Sequence, residues 1–146
     1  MPVIKEIDFK NTYIVRHPVL RKGLELSSCY FEGDELPTTK HFGLFINNDL
    51  IGVVSVFKSS NAFFMSNNQF QIRGMAVLDS HQKKGYGNLL INKAEGYVKK
   101  TNKPLLWFNA RESAIEFYKK MGYAVYGEGF ILKDIGKHFA MYRILN

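Results

Sequence analysis

The sequence predicts a mixed α/β fold: a mostly antiparallel central sheet with helices on both faces. Three features carry that prediction. Short apolar runs of strand character fill much of the first half of the chain, a strand–helix–strand–helix unit occupies residues 70–121, and strand-type segments close the sequence.

Taken in order, residues 4–9 alternate apolar and polar side chains and open as a strand. Residues 11–20 place Ile14, Val15 and Leu20 at helical spacing, with Pro18 disturbing the end. Residues 23–40 are polar and irregular, punctuated by Gly33, Asp34 and Pro37. Residues 41–46 and 50–57 are apolar strands joined by Asn47-Asn48-Asp49, which is hairpin chemistry. A polar tip around Phe63 and Phe64 leads into a strand over 70–78, ending in Met75, Ala76 and Val77. The helix expected over 85–100 carries Leu90, Ile91, Ala94, Tyr97 and Val98 on one stripe. A strand over 105–109 follows. A helix over 113–121 then groups Ala114, Phe117, Tyr118 and Met121 on one face and closes at Gly122. Strands over 124–126 and 138–144 finish the chain.

With 146 residues and neither repeats nor a linker, one domain is expected. Hydrophobic residues at 46% against 23% charged exclude a disordered chain. No apolar run approaches the roughly 20 residues of a membrane span, and residues 1–10 lack the apolar block of a signal peptide. Cys29 is the single cysteine, so no internal disulfide forms and a cytoplasmic location is expected. One cysteine and four scattered histidines give no metal-ligand spacing. The net charge of +7 suits an anionic partner without choosing among nucleotide cofactor, nucleic acid and membrane surface. Most aromatic residues fall at core spacing and no nucleic-acid-binding motif is present, so neither nucleic acid nor membrane is the expected partner.

The segment Gln82-Lys83-Lys84-Gly85-Tyr86-Gly87, followed by Asn88, sits between a buried strand and an amphipathic helix. Glycine lets backbone amides approach a ligand, and amides at a helix N-terminus favour anions. Lys83 and Lys84 add positive charge, so the physics points to a pyrophosphate. Neither the P-loop pattern nor a dinucleotide fingerprint is completed.

This loop resembles the Gln/Arg-x-x-Gly-x-Gly/Ala signature of the GNAT N-acetyltransferases. The segment running from Ala114 through Phe117 and Tyr118 to Gly122-Tyr123 resembles that family's second signature, Ala-x-x-x-Tyr-x-x-x-Gly-Phe/Tyr. The likeness covers residues 51–144. Asn109-Ala110-Arg111 and the tail from Gly136 to Met141 are similar to a bacterial subgroup of predicted acyltransferases, with Arg111 in place of that subgroup's Gln. The resemblance implies acetyl-CoA as cosubstrate, with the pyrophosphate on the loop and Met75, Ala76 and Val77 beside the pantetheine arm. It also implies Asn109, Ala114 and Phe117 near the cofactor, and direct attack of an amine on the thioester.

Within that implied reaction Tyr118 holds the signature position and is the expected general acid for the departing thiolate. A backbone amide of the Met75–Val77 strand would stabilise the oxyanion. Many relatives carry a glutamate on the strand before the loop; here that stretch is Gln71-Ile72-Arg73-Gly74, without a carboxylate. His41 and His138 are therefore the expected bases, with Asp34, Glu35, Glu128 and a water chain as alternatives. Asp34 and Glu35 are also expected to draw a cationic amine such as a polyamine to the irregular segment. A homodimer is admitted. The competing readings are a non-catalytic acyl-CoA sensor and, from another class, a basic nucleic-acid-binding module.

Overall fold

Asn47 and Asn48 both take positive φ, 49° and 71°, the two-residue turn whose twist matches the strands it joins. Around it β2 (Lys40–Ile46) and β3 (Asp49–Phe57) pair antiparallel, with Phe42 opposite Val54 and a register shift between Leu44 and Phe45. β1 (Val3–Ile7) adds to β2 antiparallel, from Val3 opposite Phe45 to Ile7 opposite His41. The opening strand ends two residues short of the expected Phe9. Phe9–Thr12 winds instead into a 3-10 turn, tied by the Asn11 amide to Asp8 O at 3.0 Å, and α1 (Tyr13–Leu20) grows from it. Pro18 lies inside α1 without ending it; the Arg21 amide, donating to Arg16 O and His17 O, closes the helix.

The computed structural model describes residues 1–133 and 135–146. Strands follow the hydrogen-bonded order β1-β2-β3-β4-β5-β7-β6. β4 (Gln69–Val77) runs parallel to β5 (Leu105–Arg111), from Gln69 opposite Leu105 to Gln71 opposite Trp107. β7 (Gly136–Ile144) pairs antiparallel with β5 and with β6 (Ala124–Leu132). The antiparallel pairings β1–β2, β2–β3, β5–β7 and β6–β7 outnumber this parallel one, as expected. β6 runs six residues beyond the expected stop at Tyr126, because Gly127 at φ +73° sits in a register shift that lets pairing resume at Phe130.

The chain divides into two compact units, residues 1–58 with 72–97, and residues 59–71 with 98–146. In the first, α1 packs on β3 through Val15 and Val53, with Ala76 in the same cluster. α2 (Tyr86–Val98) instead meets Phe42, whose ring lies 5.9 Å from that of Tyr97. Phe42 pairs with Val54, the neighbour of Val53, so the two helices cover opposite faces of the same strands. In the second unit Phe64, Leu105 and Trp107 form a core against Tyr142, and Trp107 Nε1 donates to Ser59 O at 2.9 Å. α3 (Ile115–Lys120) is shorter than expected, because a 3-10 turn over Glu112–Ala114 replaces its first residues.

One buried polar cluster organises the first unit. Arg16 and Asp34 have fully enclosed side chains. Arg16 Nη1 donates to Asp34 Oδ2 at 2.7 Å and to Cys29 O at 2.8 Å; Nη2 donates to Asp34 Oδ1 at 3.1 Å and to Ser55 Oγ at 3.0 Å. The Phe31 amide donates to Asp34 Oδ2 at 2.9 Å. The expectation that Asp34 meets a cationic amine is therefore corrected: its carboxylate is spent on Arg16 and the backbone. Gly74 completes the cluster. At φ +66°, it leaves room that a Cβ would close to 2.8 Å from the Phe31 ring and 3.2 Å from Arg16 Nε.

Removing one partner of an enclosed ion pair leaves the other charge stranded. Arg16→Met and Asp34→Asn are each expected to destabilise the protein by about 3–5 kcal/mol in urea unfolding, and the double replacement Arg16→Met/Asp34→Leu by less than the sum. Additive losses below about 1 kcal/mol each would mean that the pair does not hold this unit together.

Candidate functional site

The residues singled out by sequence fall in both units. In the first, β4 ends at Val77 and a 3-10 turn over Asp79–His81 leads into the loop. Gln82 Nε2 donates to Val77 O at 2.8 Å and to Asp79 Oδ1 at 3.1 Å, so this side chain fastens the loop to the end of β4. Lys83 (φ +63°) and Gly85 (φ +83°) both take the left-handed conformation, bending the backbone sharply into α2. The Leu89 amide makes the first helical bond, to Gly85 O at 3.4 Å. The amides of Tyr86, Gly87 and Asn88 lie in the helical turn that lacks intrahelical acceptors.

The surroundings of these amides are open. A Cβ at Gly85 would meet nothing within 4 Å, and one at Gly87 only Met75 Cε at 3.8 Å. Lys83 and Lys84 are exposed. The loop thus offers an unobstructed, positively charged row of donors beside a helix N-terminus, which fits a pyrophosphate. Met75 lies against the first turn of α2, whereas Ala76 is buried in the cluster with Val15 and Val53. Met75 and Val77 are half-buried.

In the second unit, Tyr118 is fixed by the end of its own helix. The Tyr123 amide donates to Tyr118 O at 3.1 Å and the Gly122 amide to Lys119 O at 3.0 Å, the paired bonds of a helix stop with glycine at φ +98°. Its ring packs 4.5 Å from Phe108 and 5.0 Å from Phe117. Burial pushes the phenol pKa up to about 12. Phe117, expected on the same apolar face, is 42% exposed; a helix of six residues cannot turn both neighbours inward. Asn109 is exposed on β5 opposite Ala140, and Ala114 is half-buried where α3 begins.

The two histidines differ sharply. His41 Nε2 lies 2.9 Å from Asp34 O, which can only accept, so Nε2 carries the proton. Nδ1, 2.6 Å from Ser55 Oγ, must then accept the Ser55 hydroxyl proton. With both ring nitrogens engaged and burial lowering its pKa, His41 has no lone pair left for an amine. Its expected role as a base is corrected: it is a member of the Arg16–Asp34 cluster. His138 is also buried, but its Nδ1 donates to Gly136 O at 3.0 Å, leaving the lone pair of the neutral ring on Nε2. Phe130 lies alongside, 6.2 Å between ring centroids. Glu35 is exposed and accepts the Tyr30 hydroxyl at 2.5 Å, and Glu128 is exposed on β6.

Sequence reasoning missed Arg16. The available signal was an arginine beside Ile14 and Val15 in a helix that must bury one face, together with an acidic residue in a long polar segment. Among the described residues no cluster of metal-ligating side chains occurs, and no helix is long and apolar enough to cross a membrane.

Residues 7–123 match the model of the acetyltransferase (GNAT) family. An uncharacterised N-acetyltransferase of Bacillus subtilis (strain 168), YitI, is 30% identical over 142 residues, covering 97% of this chain and 95% of that one. Among solved structures, an aminoglycoside 6'-N-acetyltransferase complexed with coenzyme A shares the fold with a TM-score of 0.76 at 16% identity, over 97% of this chain and 96% of that one. The ribosomal-protein-S18-alanine N-acetyltransferase from Escherichia coli aligns with a TM-score of 0.76 at 15% identity, over 99% and 94% of the two chains.

The shifted groups set the response to pH. A tyrosine whose folded pKa lies at about 12, above its ordinary value near 10, contributes stability below pH about 10 that is lost as pH rises toward 12. His41, lowered by burial, contributes stability above pH about 6.5 that is lost as pH falls through its folded value. Urea unfolding from pH 5 to 11 should show both declines, and Tyr118→Phe should blunt the alkaline one alone. An imidazole of His41 titrating above pH 6.5 by NMR would contradict its hydrogen bonding to Ser55 and the Asp34 carbonyl.

Proposed function

We propose that this chain, which belongs to the GNAT acetyltransferase family and is an acyltransferase, moves an acetyl group from acetyl-CoA to a primary amine by direct attack on the thioester. The observation that carries the reading is the open amide row at Tyr86–Asn88, unobstructed at Gly85 and Gly87 and flanked by two exposed lysines. Acetyl-CoA supplies the activated acyl group; the chain's own residues bind, orient and move protons around it.

Lys83, Lys84 and the amides through Asn88 hold the pyrophosphate, and Gln82 keeps the loop in register with β4. Main-chain donors of Met75–Val77 receive the arm and the developing oxyanion. Phe117, Asn109 and Ala114 are assigned to the cofactor by the family resemblance alone; Phe117 and Asn109 are exposed and Ala114 is half-buried.

Tyr118 is the proton donor to the departing sulfur, and its high pKa defines how it acts. Full transfer from a phenol at about 12 to a thiolate at about 8.5 runs uphill by about 5 kcal/mol. The phenol therefore works as a hydrogen-bond donor that is always protonated at working pH, sharing its proton with the sulfur as charge builds. His138 Nε2, with its lone pair unspent by the Nδ1 bond, takes a proton from the acceptor's ammonium and so frees the amine lone pair that attacks.

Two substitutions test this function. Gly87→Leu should weaken acetyl-CoA binding by tenfold or more, about 1.4 kcal/mol, without unfolding, because a Cβ there meets only Met75 Cε, at an ordinary contact of 3.8 Å. Tyr118→Phe should lower kcat by about tenfold to a hundredfold, the modest end of acid–base catalysis, with acetyl-CoA affinity unchanged. Unaltered affinity in a folded Gly87→Leu protein removes the loop assignment. A kcat within about threefold of wild type for Tyr118→Phe leaves that ring as packing.

A further inference from the structure

Arg73 lies on β4 two residues before Met75. Its guanidinium carbon stands 5.0 Å from the Phe31 ring centroid and 5.3 Å from that of Phe57. Arg21 stands 5.1 Å from the same Phe31 centroid, and Arg16 3.9 Å. Three guanidinium groups thus share one buried ring.

The anions nearby do not balance them. Asp34 is enclosed and spent on Arg16. Glu32 is exposed and makes no ion pair or hydrogen bond with either remaining arginine. Arg21 is partly tied down, with Nε donating to Ser28 O at 3.2 Å and Nη1 to Leu20 O at 3.0 Å. Arg73 has no hydrogen bond or ion pair to any described residue. Its five N–H donors therefore have no protein partner among the described residues and reach solvent from a half-buried side chain. Burial lowers its pKa, with the charges of Asp34 and Glu32 acting the other way, and it stays charged at neutral pH. The ring stacking fixes the plane of the guanidinium, and a fixed planar fork is the geometry that grips a carboxylate or phosphate with two parallel bonds.

Two residues along a strand span roughly 7 Å. An anion held by Arg73 therefore lies within one small molecule's length of the Met75–Val77 segment that the proposed function gives to the thioester. We propose that Arg73, assisted by Arg21, binds an anionic group of the acceptor, so that the acetylated amine belongs to a molecule that also bears a carboxylate or phosphate. This rests on the transferase reading above, and it reverses the polyamine preference expected from the sequence.

Two independent measurements test it. In the first, inorganic phosphate, and separately acetate, is titrated into the CoA-saturated protein, where the pyrophosphate loop is filled, and followed by calorimetry. Binding should weaken about tenfold or more in Arg73→Gln, less in Arg73→Lys, which keeps the charge without the fork, and measurably in Arg21→Gln. Equal anion affinity in folded Arg73→Gln and wild type overturns the anion site, whatever the turnover data say. In the second, CoA release is measured with O-phosphoethanolamine against ethanolamine, glutamate against its diamide, and spermidine. The anionic member of a pair should exceed its neutral counterpart at least about tenfold in kcat/KM, and Arg73→Gln should erase that ratio with the KM for acetyl-CoA unchanged. A phosphate-only or carboxylate-only preference identifies which anion is read. Preference for spermidine overturns the proposal and moves the acceptor to the acidic cavity of about 440 Å³ lined by Glu6, Asp8 and Glu35. Absence of turnover with every amine, while phosphate binding still depends on Arg73, contradicts the transferase reading and leaves the anion site standing.

Discussion

The enclosed Arg16–Asp34 pair is the constraint on which the first unit depends. A charged pair inside a protein is favourable only when nearly every donor and acceptor is matched, and here the matching recruits separate stretches of chain. α1 supplies the guanidinium, the irregular segment supplies the carboxylate and the Cys29 carbonyl, and β3 supplies Ser55. His41 on β2 closes the chain of bonds through Ser55 and the Asp34 carbonyl. The segment expected to be irregular winds into a 3-10 turn over Leu26–Cys29 and is tied by these bonds to α1, β2 and β3. Phe31 thereby stands over Gly74 on β4, with the arginines around its ring. The one unmatched atom of the pair, Arg16 Nε, faces that same glycine.

Much of the fold was legible because it follows from local rules. The Asn-Asn turn, the apolar stripe of α2 and the glycine stop after α3 each depend on residues within a few positions. Element ends were less legible where tertiary pairing extended a strand past its local pattern, as in β6 beyond Gly127, or where a 3-10 turn took the first residues of a helix. The bend into α2 was legible for the same local reason: glycines and a helix start lie together in sequence.

The long-range polar wiring was not legible. Asp34 and His41 carried the right chemistry for an acceptor site, and nothing in their own neighbourhoods announced that Arg16, eighteen residues upstream of Asp34, would consume one and, through Ser55, the other. Composition suggested that the carboxylates of Asp34 and Glu35 in a basic chain needed a purpose; that of Asp34 is internal, whereas Glu35 stays exposed. Arg73 is the converse case. Its position looked like a missing catalytic carboxylate, whereas the fold makes it a stacked, unpaired cation. The division between His41 and His138 likewise comes from which carbonyl each ring reaches, a detail set by strand register and invisible in their sequence positions alone.

The chemistry proposed for the site stands on acetyl-CoA being bound noncovalently and giving its acetyl group straight to an amine. Native mass spectrometry of the intact protein with acetyl-CoA tests this most directly. One acetyl-CoA per chain should appear as a complex that added CoA displaces, and the protein recovered afterwards should have its unmodified mass. A protein that stays folded yet shows no such complex, or that carries a covalent acetyl group able to pass to an added amine, would contradict it.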